Sequence, residues 1–344
     1  MKHRRLLGTF AATAALVLTM AVGSSTHAAA APQGTAPPLA SVTGRLDEAG
    51  QRRLAVRRWR PFRASAASAH IHVSPAYGDP AAIAARWSSF FSSLLHGSEL
   101  ALLDAYVAPL DEVRHICGNS EVLGCYGDDH LVIPDEGSDG VAATSIATHE
   151  YGHHIAFNRM NPPWVAVDSG TKRWATAERV CPRVAAGTAF PGAEDADYPL
   201  NPGEAFAESY RVLIETAAGL SPTWPIVDPS FMPDAAALAA LREDIVDPWT
   251  VPTVTTQKPL FASRARAWTL RLATPLDGSL HVQVAPGSDD VALLAEDGRV
   301  LRSGAWTSSG AKSADYVVCG RRTVVVRVTR HSAARRFTLR LSTP

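Results

Sequence analysis

Two histidines four residues apart, with a glutamate beside the first, are the strongest chemical signal in the chain: His149-Glu150-Tyr151-Gly152-His153. On an α-helix, residues four apart stand above one another on one face, so both imidazoles can reach a single metal ion. That donor set suits zinc, expected at one Zn2+ per chain. Glu150 is rotated round the helix, which places its carboxylate near a metal-bound water without making it a ligand. The helix needs boundaries, and Ser138 or Asp139 can cap its start while Pro162-Pro163 stops it.

A third ligand decides the class. The extended metzincin pattern places a glycine and a third histidine where this chain has Ala156 and Arg159, so that pattern fails. Downstream acidic candidates are Asp168, Glu178, Glu194, Glu204 and Glu208. Of these, Glu204 and Glu208 form a pair four apart on a credible helix, Asn201-Pro202-Gly203-Glu204-Ala205-Phe206-Ala207-Glu208-Ser209-Tyr210. One carboxylate can then bind the metal while the other accepts the free ring N–H of a ligand histidine and fixes its tautomer. Glu178 is an alternative third ligand, its distance from His153 being nearer that of thermolysin-like enzymes.

These motifs resemble the gluzincin group of zinc metallopeptidases, in which HExxH is followed by a second helix carrying a glutamate ligand and an acidic residue four positions later. The Glu-Ala-Phe-Ala-Glu at 204–208 is similar to the glutamate helix of the family containing anthrax lethal factor. The His-Glu-Tyr-Gly-His-His run also resembles a set of uncharacterised secreted actinobacterial proteins. The resemblance covers about residues 70–247. It implies His149, His153 and Glu204 as ligands, Glu150 as general base, and Glu208 as the carboxylate that orients a ligand imidazole. It also implies that Tyr198 hydrogen-bonds a developing oxyanion, with Tyr210 as the rival tyrosine. The implied activity is peptide-bond hydrolysis, and a substrate would lie extended along the sheet edge near Cys125-Tyr126.

The elements that must position these residues follow from periodicity. His70-Ile71-His72-Val73 alternates as a strand does, residues 79–106 carry a long helical pattern, and 113–117 and 126–133 read as strands. Helices are expected around 170–184, 202–218 and 234–247. After Pro248 and Pro252 the pattern changes to short alternating strands, with Asp297-Gly298 as a hairpin signal. The expected architecture is therefore an α+β zincin-like catalytic domain over residues 70–249, followed by an all-β sandwich over 250–344.

Upstream, residues 1–30 read as a signal peptide: a basic start, an apolar stretch from Leu6 to Val22, and small residues before residue 31. That stretch is short for a membrane anchor. Residues 31–69, rich in Ala, Pro, Gly and Arg, read as a linker or pro-segment that buries little. A secreted protein is expected, and the four cysteines fit an oxidising compartment. Cys117 and Cys125 are expected to pair locally, leaving Cys181 for Cys319, although other connectivities remain open. Lys plus Arg (33) balances Asp plus Glu (33), which gives no reason to expect a nucleic acid or an anionic membrane as partner.

Other histidines read as structural. His154 points away from the ligand face; His70 and His72 share a strand face without an evident third partner; His115 and His130 likewise stand alone. Trp164, Trp174, Trp224 and Trp249 read as packing residues. Two functions fit this pattern: a secreted zinc peptidase acting on a protein or peptide, or a zincin-scaffold binding protein that holds zinc without general proteolysis.

Overall fold

The structure, a computed structural model, describes residues 43–344 apart from 139, 225 and 321. The expected signal peptide, residues 31–42 of the expected linker, and Asp139 lie outside the described residues. In chain order the first part runs β1 (Thr43–Arg45), α1 (Glu48–Ala55), β2 (Arg60–Phe62), β3 (His70–Val73), α2 (Pro80–Ser93), β4 (Asp104–Val107), α3 (Leu110–Cys117), β5 (Gly124–Gly127) and β6 (His130–Ile133). It continues through α4 (Ala143–Phe157), α5 (Ala166–Ser169), α6 (Lys172–Ala177), α7 (Val180–Ala185), α8 (Pro202–Ala217) and α9 (Ala235–Val246).

The strands form one mixed sheet in the order β1-β5-β6-β4-β3-β2. β3, β4 and β6 run parallel, β5 is antiparallel to β6, and β1 is parallel to β5. Asp128 and Asp129 turn β5 into β6, both at positive φ (46° and 65°), the conformation that a two-residue hairpin of matching twist requires. Alternation sorts the two faces. Ile71, Val73, Ala105, Val107, Leu131 and Ile133 point into the main core with α2 and α4, while Leu54, Val113, Ile116 and Val132 form a smaller cluster against α1 and α3.

α4 is buried on nearly every side because it lies between the sheet and α8. Burying Ile146, Tyr151 and Ile155 contributes roughly 1.5–3 kcal/mol each. Close approach to α8 depends on Gly152, where an added Cβ would sit 2.7 Å from Ala207 Cα. α8 starts at Pro202 behind Asn201, whose side chain accepts from Gly203 N–H. Asp234 caps α9 in the same way.

Several expectations are corrected. Residues 43–69 are not a spacer: they supply two strands and α1, with Leu46 and Leu54 buried. The low-complexity composition hid apolar residues that dock on a sheet formed by distant strands. Residues 113–117 end a helix, since their apolar positions are spaced for α3 to pack on the sheet and Gly118 closes it in the left-handed conformation. The helical pattern of 79–106 stops at Ser93, and β4 begins at Asp104. The region 170–184 is broken by Gly170 and Arg179, both at positive φ. α4 begins at Ala143 with Ala142 at its cap and no side-chain cap bond.

The remainder is β7 (Thr253–Gln257), β8 (Ala267–Thr274), β9 (Gly278–Ala285), β10 (Asp290–Leu294), β11 (Val300–Ser303), β12 (Ala305–Trp306), β13 (Lys312–Val318), β14 (Arg322–Thr329) and β15 (Thr338–Thr343). They form a four-stranded sheet, β11-β10-β14-β8, and a five-stranded sheet, β12-β13-β9-β15-β7. One cluster, including Leu280, Val282 and Val284 from one sheet and Val324, Val326 and Val328 from the other, fills the space between them. The fold is thus α+β with a mixed sheet, several helices and further all-β sheets. Disulfides join Cys117 to Cys125 and Cys181 to Cys319, the latter tying α7 to the end of β13.

Candidate metal centre

α4 and α8 cross so that His149, His153 and Glu204 bring one ligand atom each within 4.8 Å of the others. His149 Nε2 lies 3.2 Å from Glu204 Oε2, and His153 Nε2 lies 3.4 Å from Glu204 Oε1. All three side chains are buried. This group of two imidazoles and one carboxylate could hold a metal ion.

Each donor is oriented by a neighbour. His149 Nδ1 lies 3.0 Å from Glu208 Oε2, so the pair one helical turn apart divides its work between the two nitrogens of one ring. Glu208 is in turn held by Arg211, which also reaches Glu215 and the Thr223 carbonyl. Arg211 is a residue that sequence reasoning missed, although its place three residues after Glu208 on the same helix face was a usable signal.

The imidazoles and carboxylates of the group act strongly on one another. Burial pushes His149 down, but the hydrogen bonds its ring nitrogens donate to Glu204 and Glu208 outweigh it and raise the ring to about 10. Burial likewise works to raise Glu204, yet the adjacent His153 and His149 rings, through their electrostatics and hydrogen bonds, hold it well below the usual carboxylate range.

Glu150 differs from every other acid here. Its carboxylate is fully buried, and neither oxygen has a hydrogen-bond partner among the described residues. Burial pushes it up to about 8, opposed by His149 and reinforced by Glu204. Gly124 of β5 leaves the room: an added Cβ would come within 3.1 Å of Glu150 Oε1 and 2.8 Å of Ile146 Cγ2. A buried carboxylate without partners costs free energy.

Beside the centre opens a cleft of about 270 Å³ lined by Arg45, Tyr126, His153, Asp168, Glu194 and Glu204. Asp168 and Glu194 therefore face the same space without joining the ligand group, Asp168 lying 3.8 Å from Arg45. Glu178 is elsewhere, 3.8 Å from Arg183 at the end of α6. Tyr198 OH donates to Glu204 Oε2 at 2.7 Å and also bonds Thr43 Oγ1. Tyr210 is turned into the core, its hydroxyl on the Leu95 carbonyl. His154, buried, bridges the Glu99 carbonyl and the Tyr126 hydroxyl and so anchors α4 to the sheet.

The expected docking edge is corrected. β5 is not a free edge: Thr43, Gly44 and Arg45 pair with Gly124, Cys125 and Tyr126 in parallel register. Thr43 Oγ1 reaches Glu204 Oε2 at 3.3 Å, so the chain's own first described strand lies across the centre. Nothing in the local sequence marks Thr43, because only the tertiary fold carries it there.

The chain matches no family model and no curated protein. Among solved structures it is similar to the pre-peptidase C-terminal domain of a collagenase from Bacillus anthracis, at 13% identity and a TM-score of 0.21 over 27% of this chain and 90% of that one. A likeness that slight says nothing about the fold or chemistry of this protein.

Proposed function

We propose that this chain is a secreted zinc-dependent peptidase with a zincin-like catalytic part and a β-sandwich accessory part. The observation that carries the reading is the unpartnered, buried carboxylate of Glu150 beside the His149, His153 and Glu204 group, of which His153 and Glu204 line an open cleft. A structural metal site has no use for such a carboxylate, whereas a hydrolase needs a proton acceptor there. Two disulfides, and the absence among the described residues of a helix long and apolar enough to cross a membrane, are compatible with an extracellular protein.

His149, His153 and Glu204 would hold zinc, which supplies a Lewis-acidic open position that favours ionisation of water and polarises a carbonyl. The protein's own residues do the rest. Glu150 accepts a proton from the attacking water and returns it to the leaving amine, a role suited to a carboxyl lifted toward neutral pH. Glu208 keeps the His149 proton on Nδ1, which leaves Nε2 free to act as a donor of electrons. Tyr198, once released from its bonds to Glu204 and Thr43, would donate to the developing oxyanion.

The second reading, a binding protein on the same scaffold, draws on β1: a chain that keeps Thr43–Arg45 on β5 closes its own substrate edge. Purified protein incubated with an unfolded substrate such as casein separates the two. The peptidase reading expects about one zinc bound at this centre, cleavage of casein, and loss of both in His149→Ala. Zinc binding through these residues with no hydrolysis across a broad peptide library would leave the binding reading in its place.

A further inference from the structure

We propose that His70, His72 and Asp104 form a second cation site, for a zinc-class divalent metal, on the face of the mixed sheet opposite α4. The sequence offers two histidines on one strand face and no third donor; the fold supplies it. β3 and β4 pair in parallel with His70 opposite Asp104, and β4 pairs with β6 with Asp104 opposite His130. Three strands thereby place His70, Asp104 and His130 in one row, and His72 lies two residues along β3 on the same face.

The distances fit a ligand set. His72 Nε2 lies 2.7 Å and His70 Nδ1 3.3 Å from the same oxygen, Asp104 Oδ1, and the three donor atoms fall within 4.8 Å of one another. One carboxylate oxygen facing two ring nitrogens is the arrangement a shared cation converts into coordination. Beside these donors, His70 Nε2 and His130 Nδ1 are buried without a hydrogen-bond partner among the described residues, so the histidine row is not closed by internal hydrogen bonds. Orientation is fixed from one side: Tyr106 stacks on His72 with ring centres 4.5 Å apart, and Trp59 packs edge-on against Tyr106 at 5.0 Å.

Two imidazoles and one carboxylate favour a borderline metal such as zinc over calcium or magnesium, which prefer all-oxygen shells. The side chains of His70, His72 and Asp104 are 36%, 19% and 30% exposed, so a bound ion keeps contact with solvent and exchanges readily. The site shares no residue with the His149 centre and does not depend on the peptidase reading.

Zinc alone, titrated calorimetrically into chelator-stripped and dialysed protein, tests this. The expected stoichiometry is two per chain, falling to one in the His149→Ala, His153→Ala variant and to none when Asp104→Asn is added. A first-site-deficient variant that takes up no zinc overturns the proposal, as does a stoichiometry that Asp104→Asn leaves unchanged. A native stoichiometry of one that survives loss of His149 and His153 would support this site and count against the other. Should Asp104→Asn fail to fold, cobalt in the first-site-deficient variant decides: visible ligand-field bands are expected, and a spectrum identical to free aqueous cobalt overturns the site.

Discussion

Two histidine–carboxylate clusters lie on opposite faces of one sheet, and they are built by different periodicities. In the first, the i, i+4 spacing of α4 brings His149 and His153 to Glu204; in the second, the i, i+2 spacing of β3 brings His70 and His72 to Asp104. Both spacings put side chains on a common face. The difference lies in what surrounds them. The α4 cluster is buried, and its histidine and glutamate are held by Glu208, Arg211 and Tyr198. The β3 cluster is part exposed and steadied chiefly by the ring of Tyr106. Chemistry on a substrate needs a fixed geometry and a dry, perturbed acid, and only the first cluster has a Glu150.

The sharpest way to break that contrast is to remove the acid alone. Glu150→Gln should lower casein cleavage by roughly 10²–10⁴-fold, the usual worth of a general acid–base group, while zinc content stays as in the native chain. Cleavage that survives in the zinc-loaded variant would sink the role assigned to Glu150. Next in size is Glu208→Gln, which leaves every proposed ligand in place but loosens the His149 ring. Zinc affinity should fall about 10–100-fold, read by competition with a chromogenic chelator. An unchanged affinity would mean that the α4 cluster is no better supported than the β3 one.

A smaller effect concerns β1. Proline at Gly44 removes a backbone N–H and cannot continue the pairing with β5, so Gly44→Pro should free the edge. Loss of one ladder bond, about 1 kcal/mol, corresponds to a gain of about fivefold in cleavage if β1 competes with substrate. Cleavage that falls instead would show that β1 supports the centre rather than covering it.

How much of this was legible in the sequence depends on how local each feature is. His149, Glu150 and His153 are fixed by spacing along one helix, and Glu204 with Glu208 by the same spacing on another, so both motifs stood out before any contact was known. The alternation of His70 to Val73 was equally visible. Asp104 was not, because it reaches His72 through the register of a neighbouring strand, which no local pattern encodes. Thr43 is the extreme case: it comes from a segment whose composition resembles a spacer and meets Tyr198 across 155 residues. The helix over 110–117 misled for a related reason, since its apolar positions are few enough to read either way until Gly118 is recognised as its end.

Glu178 offers a control with the smallest expected effect. It was a rival third ligand by spacing, yet it lies against Arg183 and outside the ligand group. Burial pushes its carboxyl up to about 7, with Arg183 opposing. Between the ordinary value of 4.5 and that raised value the folded chain holds a proton that the unfolded chain has released. Stability from this group is therefore complete below about 4.5 and is lost as pH rises through about 7. Glu178→Gln cannot ionise, so it should melt higher than the native chain at pH 8 and alike at pH 4.5, a difference on the order of 1 kcal/mol. Zinc binding should not change. A fall in zinc stoichiometry in Glu178→Gln would reopen the choice of third ligand, and with it the contrast between a helix-built centre and a strand-built one.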